Sequence, residues 1–417
     1  MINRRKSKQI SIGNIKIGGD APISVQSMCN TDTRDAASTL DQISELASAG
    51  CEIVRLAVLN KDAAAAIKDI VKKSPVPLVA DIHFDYRLAL TCIENGIHAL
   101  RINPGNIGKK EHTIKVVEAA KAHEVPIRIG INAGSLEKEF SEMDIPLSEK
   151  MVLSALRHVE ILEDLNFYNT KISLKSSDVM TTIEAYRSIA SKVDYPLHLG
   201  VTEAGTLKMG LIKSSVGLGT LLSEGIGDTI RVSLTENPVE EVHAGFGILK
   251  AMNLRQKGVN FISCPTCGRT QIDLIGLAKQ VEERFKNLDL PITIAVMGCP
   301  VNGPGEARHA DFGIAGAIKE GYIFKKEEIY RIIIGSSNMT SAALTVNKEW
   351  NTKLISTESG EIAEEIVDEF QNLWNSEYAL PYDDFYEVYK ERYNIVKHQR
   401  EIAKSEEILS LEKYSIS

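Results

Sequence analysis

The chain has 417 residues, of which 43% are hydrophobic and 25% are charged. That length suits two or three domains, and the composition supports a packed core and excludes disorder for most of the chain. Lys and Arg number 48 against 56 Asp and Glu, so the net charge is −8. This balance argues against a surface built for nucleic acid, although it leaves room for a local basic pocket.

The sequence predicts a cytoplasmic protein without a membrane span. No window approaches about 20 consecutive apolar residues, which a spanning helix needs. The basic start of the chain, residues 1–8, lacks the apolar stretch of a secretory signal. The six cysteines do not form a disulfide framework in a chain of this length.

A repeated order of elements runs through the first 250 residues: a short apolar run, a polar end, and then apolar residues at helical spacing. Eight runs are predicted strands: Ile23–Ser27, Glu52–Val58, Pro77–Phe84, Ala99–Pro104, Ile127–Asn132, Lys171–Lys175, Leu197–Thr202 and Thr229–Leu234. The predicted helices include Ala36–Ala49, Asp62–Lys73, Lys109–His123, Glu149–Asn166, Thr181–Val193, Leu211–Glu224 and Val239–Met252.

Strands that alternate with helices pair in parallel through right-handed crossovers, which makes the fold class α/β. Eight such units predict a closed (β/α)8 barrel of the TIM type. An open doubly wound sheet is the alternative. It more often carries a glycine-rich dinucleotide turn after its first strand, whereas Gly18 and Gly19 precede the first predicted strand here.

From Asn260 onward the pattern changes to a smaller α/β domain. It is predicted to contain a helix near Gln271–Lys286, a loop Gly298–Gly305, and strands near Ile292–Val296, Gly313–Ala317 and Arg331–Gly335. We place the barrel in residues 1–255, the second domain in 260–375 and a charged helical extension in 376–417.

The extension carries five tyrosines at spacings of three and four, which indicate one face of a helix: Tyr378, Tyr382, Tyr386, Tyr389 and Tyr393. This face is predicted to pack against the protein body or a partner subunit. An aromatic platform for nucleic acid is the weaker alternative at this net charge.

Cationic side chains stand at the C-terminal ends of five predicted strands, where barrel enzymes gather their chemistry. They are Arg55, Arg101, Arg128, Lys175 and Arg231. Each alone could pair with a neighbouring carboxylate. Together they favour a multiply charged anion, because isolated buried charges are costly and the planar fork of Arg suits phosphate. We therefore predict a pocket for a phosphate or, with five cations, a diphosphate.

Acidic residues at the same strand ends are candidates for proton transfer and substrate binding. Glu203 follows the seventh predicted strand among the cations, so it is the candidate acid or base. Asp81 suits the acceptance of a hydrogen bond from a substrate hydroxyl. His83 is interpreted as a positioned residue of the core or rim, with catalysis as the alternative.

A second group of candidate residues consists of Cys264, Cys267 and Cys299, which lie in sequence rich in Gly and Pro. Three thiolates on turns predict a metal centre, and three alternatives remain open. Structural zinc requires four closed ligands, iron–sulfur clusters commonly require four thiolates, and a redox dithiol leaves Cys299 without a role. Glu306 is the nearby candidate for a fourth ligand, and His309 suits that role less well. An oxygen ligand is exchangeable, so a substrate oxygen could replace it.

Seven strings of this sequence resemble the bacterial 4-hydroxy-3-methylbut-2-enyl diphosphate synthase family over about residues 5–340. They are Val25–Thr31, Asp81–Arg87, Arg101–Gly108, His198–Gly205, Gly227–Ser233, Cys264–Arg269 and Met297–Glu306. The resemblance implies a TIM-type barrel followed by an iron–sulfur domain similar to those of sulfite and nitrite reductases. It also implies a reductive enzyme of isoprenoid biosynthesis, in the methylerythritol phosphate route.

The resemblance further implies the site and its partners. A [4Fe–4S] cluster would be held by Cys264, Cys267, Cys299 and Glu306. The substrate would be 2-C-methyl-D-erythritol 2,4-cyclodiphosphate, and flavodoxin or ferredoxin would donate two electrons. The implied pocket residues are the five cations with Asp81, Asn132, Thr202, Ser233 and Glu203. The family implies a head-to-tail homodimer in which the barrel of one subunit faces the cluster of the other.

Two rival functions remain at this stage. The first is a non-catalytic zinc protein whose barrel senses a phosphorylated ligand. The second is a barrel enzyme for another phosphorylated metabolite, with a cluster that only relays electrons. A radical S-adenosylmethionine enzyme is disfavoured, because the sequence has no Cys-x-x-x-Cys-x-x-Cys run.

Overall fold

The structure is a computed structural model. It describes residues 2–334 except positions 108, 271, 287, 289, 300–306, 308, 318–319 and 326–327, and it also describes residues 352–353. After residue 316 it describes the backbone of strands and not their side chains. The chain divides into two compact units, Met1–Lys257 and Gly258–Ser417.

The first unit begins with a β-hairpin that is absent from the predicted elements. Its strands β1 (Ile10–Ile12) and β2 (Ile15–Ile17) pair antiparallel, and Ile12 lies opposite Ile15 across a two-residue turn. Gly13 in that turn has a φ of 55°, a conformation that glycine adopts without steric cost.

Eight parallel strands follow within the described residues of this unit. They are β3 (Ser24–Met28), β4 (Ile53–Ala57), β5 (Leu78–Asp81), β6 (Ala99–Ile102), β7 (Ile127–Asn132), β8 (Thr170–Lys175), β9 (His198–Leu199) and β10 (Thr229–Ile230). Their order in the sheet is β8-β7-β6-β5-β4-β3-β10-β9, and a parallel bridge between Ile172 and Leu197 joins the two edges. The predicted (β/α)8 barrel is therefore confirmed.

Helices cover the outside of this barrel. They are α1 (Ala36–Ser48), α2 (Lys61–Lys73), α3 (Tyr86–Glu94), α4 (Lys110–Ala122), α5 (Lys138–Ser141), α6 (Leu147–Asp164), α7 (Val179–Ala190), α8 (Leu207–Ser223) and α9 (Pro238–Ala251). Many begin at a side chain that accepts a backbone N–H of the first turn, as Asp35, Asn60 and Asp178 do for α1, α2 and α7. The helix α3 is missing from the predicted set.

Strand alternation separates two different faces of the barrel wall. Leu100, Ile102 and Ile129 belong to the apolar cluster that packs between the strands and the helices. Arg101 and Arg128 alternate with them and are buried inside the barrel. At the N-terminal ends of β4, β5 and β6 the hairpin β1–β2 packs Ile10, Ile12 and Ile17 against Ile53, Val79 and Ala99. The hairpin thus closes the end of the barrel opposite to the cations.

The second unit is a mixed sheet with one described helix. Its strands are β11 (Asn260–Ser263), β12 (Thr293–Met297), β13 (Phe312–Ala317), β14 (Glu320–Lys325), β15 (Glu328–Ile334) and β16 (Thr352–Lys353) in that order. The first three pair in parallel and the others antiparallel. Helix α10 (Leu274–Phe285) connects β11 to β12 and begins at Asp273, which accepts the Gly276 N–H at 3.0 Å.

The predicted helix and the strands near β12, β13 and β15 correspond to observed elements, whereas β11, β14 and β16 were not predicted. Most of the predicted loop Gly298–Gly305 and the whole extension 376–417 lie outside the described residues, so the tyrosine face stays a prediction. The domain limits and the roles attached to them also stay predictions. None of the described helices is long and apolar enough to cross a lipid bilayer.

Candidate active site

The predicted cations lie on the barrel strands or directly after them, but Arg128 is the second residue of β7 and not at its C-terminal end as the sequence predicted. Arg55 is in β4, Arg101 in β6 and Arg128 in β7, whereas Lys175 is the last residue of β8 and Arg231 directly follows β10. Arg101, Arg128 and Lys175 are buried, and the side chains of Arg55 and Arg231 are each 14% exposed. These five cations are close enough inside the barrel to repel one another.

Asp81, the last residue of β5, is the carboxylate at the centre of an ion network. Its oxygens lie 3.3 Å from Nη1 of Arg101, 3.7 Å from Nη2 of Arg55 and 3.4 Å from Nε2 of His83. Burial alone would raise the pKa of Asp81, but the positive charge of Arg55, the hydrogen bond with His83 and the charge of Arg101 outweigh it and lower this pKa. Asp81 is thus an ionised acceptor, and His83 is a partner of Asp81 at the exposed rim.

Arg101 is fixed by the neighbouring strand β7. Its Nη2 donates to the carbonyl oxygen of Gly130 at 2.6 Å, and the Gly130 N–H donates to Oδ1 of Asn103 at 2.9 Å. A β-carbon at position 130 would lie 2.4 Å from Nε of Arg101. Gly130 therefore leaves the space in which the guanidinium lies.

Substituting Gly130 with alanine tests whether that space matters. We expect Gly130→Ala to displace the Arg101 guanidinium and to weaken diphosphate binding by about tenfold, since one charge-assisted hydrogen bond contributes about 1.5 kcal/mol. The measurement is the dissociation constant of the ligand in a calorimetric titration.

Gly219→Ala in α8 is the matched control, because a β-carbon there meets nothing within 4 Å. It should bind as tightly as the unsubstituted protein. Equal affinity of the Gly130→Ala variant would contradict the assigned role of Arg101.

Several side chains of the barrel interior carry buried polar atoms that form no hydrogen bond. Among the described side chains, buried atoms without a hydrogen-bond partner include Nε of Arg101, Nε and Nη2 of Arg128, Nζ of Lys175, Nζ of Lys171 and both ring nitrogens of His198. Nε of Arg231 also lacks a hydrogen bond, although it forms an ion pair with Glu241. Buried polar groups are normally satisfied, and each exception requires an explanation. An anion bound among these donors would supply the missing hydrogen-bond partners.

Burial and mutual repulsion shift the protonation of the same groups. Burial, followed by repulsion from Arg55 and Arg101, lowers the pKa of Arg128 well below its ordinary value. Burial, followed by repulsion from Arg231 and Arg128, does the same to the pKa of Lys175. Burial lowers the pKa of Arg55 to about 10. The nearby carboxylates of Asp81 and Glu241 only partly offset these effects, and a phosphate group would supply further negative charge.

Three further residues of the site escaped the sequence prediction. Lys171 and His198 are fully buried at the starts of β8 and β9, and burial with nearby positive charge lowers the pKa of each well below its ordinary value. Glu241 in α9 is buried; it accepts the Ser27 hydroxyl at 2.8 Å and lies 3.6 Å from Nε of Arg231. The signal for Lys171 was available, because Lys171, Ser173 and Lys175 alternate on one face of β8.

The polar residues that follow β7, β9 and β10 are at the rim and only partly buried. They are Asn132, which is the last residue of β7, Thr202 and Ser233. The Thr202 N–H donates to the Ser176 carbonyl oxygen at 3.2 Å, which ties the end of β9 to β8. Hydrogen bonds that would join these three side chains to the cations are not seen in the described residues, so their part in binding stays a prediction.

Glu203 is exposed and has a φ of 52°. A residue with a β-carbon in this left-handed region costs about 1 kcal/mol and persists where the surroundings hold it, often at functional sites. Its backbone therefore supports a role at the rim, and its acid–base function stays a prediction.

The cysteines of the second unit lie at the C-terminal ends of two paired strands. Cys264 directly follows β11, and Cys299 follows β12 after Gly298. The Gly298 N–H donates to Sγ of Cys264 at 3.2 Å. Cys267 is exposed, and hydrogen bonds from the backbone and side chain of Arg269 lower its pKa. The C-terminal ends of both strands therefore place a cysteine at the same end of the sheet.

These donors fit an iron–sulfur cluster by their chemistry. N–H···S contacts stabilise thiolates, and thiolates are the ligands that such clusters require. The cysteines of the barrel are less suited to bind metal, because burial raises the pKa of Cys29, Cys51 and Cys92 to about 12. Within the described positions, which exclude Glu306, no group of three or more His, Cys, Asp or Glu side chains could hold a single metal ion. Cluster ligands bind different iron atoms, so they need not surround one point.

Comparison with known proteins covers both units. The sequence matches the family model described as the GcpE TIM-barrel domain over residues 7–246 and that of the GcpE protein C-terminal domain over residues 260–348. Among solved structures, dihydropteroate synthase of Yersinia pestis is 13% identical and covers 59% of this chain and 99% of its own. Its TM-score of 0.44 is too low to support any conclusion.

Curated relatives match most of the chain at high identity. The Geobacter sulfurreducens protein is 61% identical and covers 79% of this chain and 93% of its own, and the Maridesulfovibrio salexigens protein is 60% identical and covers 81% and 95%. The Clostridium perfringens protein is 60% identical and covers 79% and 95%. All three are named 4-hydroxy-3-methylbut-2-en-1-yl diphosphate synthase (flavodoxin). With both family models and these relatives in agreement, the chain belongs to the GcpE family.

Proposed function

We propose that this chain is a 4-hydroxy-3-methylbut-2-enyl diphosphate synthase, an iron–sulfur oxidoreductase of isoprenoid biosynthesis. It would open and dehydrate 2-C-methyl-D-erythritol 2,4-cyclodiphosphate with two electrons. The observation that carries this proposal is the set of buried cationic donors inside the barrel that form no hydrogen bond. Such a set matches a diphosphate, and the names of the relatives support that chemistry.

In this proposal the barrel residues bind the diphosphate and stabilise its developing charge. Arg128 and Lys175 approach from inside the barrel, while Arg55 and Arg231 approach from its rim. When the ring opens at the tertiary carbon, negative charge develops on a phosphate oxygen, and fixed cations in a water-poor site stabilise that charge. The diphosphate stays attached to the product, so these residues also hold the product.

Asp81 and Glu203 divide the remaining tasks. Asp81 is held ionised by Arg55 and Arg101, so it accepts a hydrogen bond from a substrate hydroxyl and orients the ring. Glu203 supplies or relays the proton with which the C3 hydroxyl leaves as water. When substrate and product are both written fully protonated, the reaction consumes two electrons and two protons and releases one water molecule.

In this proposal the second unit supplies the electrons for the reduction. Cys264, Cys267, Cys299 and Glu306 would hold a [4Fe–4S] cluster, in which Glu306 gives one iron a non-thiolate ligand. When bound, the cluster supplies electrons singly to the substrate. The relatives' names include flavodoxin, and we propose flavodoxin or ferredoxin as the electron donor of this chain. We also propose that the chain forms a head-to-tail homodimer and is located in the cytoplasm.

The lowered pKa values of the buried cationic groups imply that the protein takes up protons when the diphosphate binds. A diphosphate raises the pKa of Lys175 and His198, so at a pH between the free and bound values these groups gain protons when the ligand binds. We expect binding enthalpies, measured by titration calorimetry at one pH in two buffers of different ionisation enthalpy, to differ in the direction of proton uptake. Identical enthalpies in both buffers would contradict this expectation.

Anaerobic turnover tests the proposal as a whole. The purified chain, supplied with the cyclodiphosphate and reduced flavodoxin, should form 4-hydroxy-3-methylbut-2-enyl diphosphate and contain about four irons per chain, as a [4Fe–4S] cluster requires. A colourless protein with stoichiometric zinc and no turnover would support the rival zinc protein. A brown protein that leaves the cyclodiphosphate unchanged would support the rival with an electron-relay cluster.

A further inference from the structure

A short turn separates the strand that carries Arg101 from the following helix. The 3-10 turn Pro104–Asn106 begins two residues after β6, beyond the C-terminal end of that strand. The Thr113 hydroxyl donates to the Pro104 carbonyl oxygen at 2.9 Å. The Gly105 N–H donates to Nδ1 of His158 at 3.0 Å, although 53 residues separate the two in sequence. The turn is therefore anchored from both α4 and α6.

His158 is buried in α6 and bonds with both ring nitrogens. Its Nδ1 accepts from Gly105, so the ring hydrogen is on Nε2, which donates to Oε1 of Glu137 at 2.5 Å. The other oxygen of Glu137 accepts the Ser154 hydroxyl at 2.7 Å. Burial would raise the pKa of Glu137, but the bonds from His158 and Ser154 outweigh it and bring this pKa to about 2. The carboxylate thus fixes the tautomer and orientation of the imidazole.

Gly105 leaves room for this contact. A β-carbon at position 105 would lie 2.7 Å from Cε1 of His158, so a larger residue would force the ring and the turn apart. Packing alone would not demand this arrangement. Nδ1 of the histidine accepts one specific backbone N–H, while the partly buried carboxylate of Glu137 accepts the hydrogen of Nε2.

The turn also connects to the cation site. Asn103 precedes the turn, and its Oδ1 accepts the N–H of Gly130, the residue whose carbonyl oxygen binds Arg101. Glu137 lies beyond the C-terminal end of β7, the strand that carries Arg128. A continuous set of hydrogen bonds therefore links the loops after β6 and β7 through His158.

We propose that His158, oriented by Glu137, is a positioning residue that holds the turn Pro104–Asn106 at the mouth of the barrel, where its backbone helps to bind the diphosphate. His158 itself does not touch the substrate. The proposal rests on the proposed function, because it assumes that the barrel mouth is the diphosphate site.

Two substitutions at position 158 separate positioning from stability. Oδ1 of asparagine takes the place of Nδ1, so His158→Asn keeps the acceptor for Gly105 and loses the contact with Glu137. The amide nitrogen of glutamine takes the place of Nε2, so His158→Gln keeps the contact with Glu137 and loses the acceptor. Both variants should melt at a lower temperature than the unsubstituted protein.

Their kinetics should differ. We expect His158→Gln to raise the KM for the cyclodiphosphate by about tenfold, the effect of one lost hydrogen bond to a backbone donor, with little change in kcat. His158→Asn should keep KM within about twofold. Hydrogen–deuterium exchange of the peptide that contains Gly105 should accelerate in His158→Gln and not in His158→Asn.

Each other result overturns the proposal in a recognisable way. If KM rises in both variants in proportion to the fall in melting temperature, His158 only stabilises the fold. The same conclusion holds if neither variant changes KM. If the unsubstituted holoenzyme neither binds nor converts the cyclodiphosphate, the proposed function itself is wrong. Exchange at Gly105 that is equal in both variants would show that His158 does not hold the turn.

Discussion

Replacing Cys264 with alanine should remove most of the iron from the purified protein and lower turnover by at least about 1,000-fold. Cys264 follows β11 and accepts the Gly298 N–H through its sulfur, so it lies where two parallel strands deliver cysteine to one edge of the sheet. Loss of a thiolate opens the cluster to solvent and removes the source of electrons. Iron and acid-labile sulfide per chain, with the anaerobic turnover rate, measure this effect.

Cys92→Ala is the matched control for this substitution. Cys92 is buried in α3, and burial raises its pKa to about 12, so it remains a protonated core residue. This variant should keep its iron and its turnover and lose only a little stability. A Cys264→Ala protein with unchanged iron and rate would refute the assignment of Cys264 as a cluster ligand.

Substitution of Arg128 with methionine should separate stability from binding. Arg128 is fully buried, its Nε and Nη2 have no partner, and Arg55 and Arg101 repel it. A methionine of similar length removes that repulsion and the cost of burying a charge, so the melting temperature should stay the same or rise. Affinity for the cyclodiphosphate should fall by about 100-fold, because a buried charge–phosphate contact contributes about 3 kcal/mol.

Arg187→Met provides the comparison on the outer surface. Arg187 is half-exposed in α7 and pairs with Glu224, away from the strand ends. Its loss should leave the dissociation constant unchanged. If Arg128→Met were strongly destabilised and still bound the ligand with full affinity, Arg128 would be a structural residue and the diphosphate site would lie elsewhere.

The barrel was predictable because its signals are local. Each strand is a short apolar run with polar residues at or just beyond its end, and the helices show apolar residues at their own spacing, so the eight units follow from the chain alone. The hairpin β1–β2 does not belong to that repeated order and was missed. Its signal was present, however, since Ile10, Ile12, Ile15 and Ile17 alternate around a two-residue turn that begins with Gly13.

The cations of the site were predictable for a similar reason. A charged residue inside an apolar strand is costly, so Arg101 and Arg128 stand out in the sequence. Glu241 and His158 could not be recognised in this way, because a single polar residue on a helix has many possible partners. Their roles depend on which distant residues fold against them, such as Ser27 and Gly105.

The most direct test of the central claim is an anaerobic crystal structure of the holoenzyme with 2-C-methyl-D-erythritol 2,4-cyclodiphosphate. The account predicts phosphate oxygens within hydrogen-bonding distance of Nε or Nη2 of Arg128 and of Nζ of Lys175. A ligand bound elsewhere, with water alone at these nitrogen atoms, would contradict it.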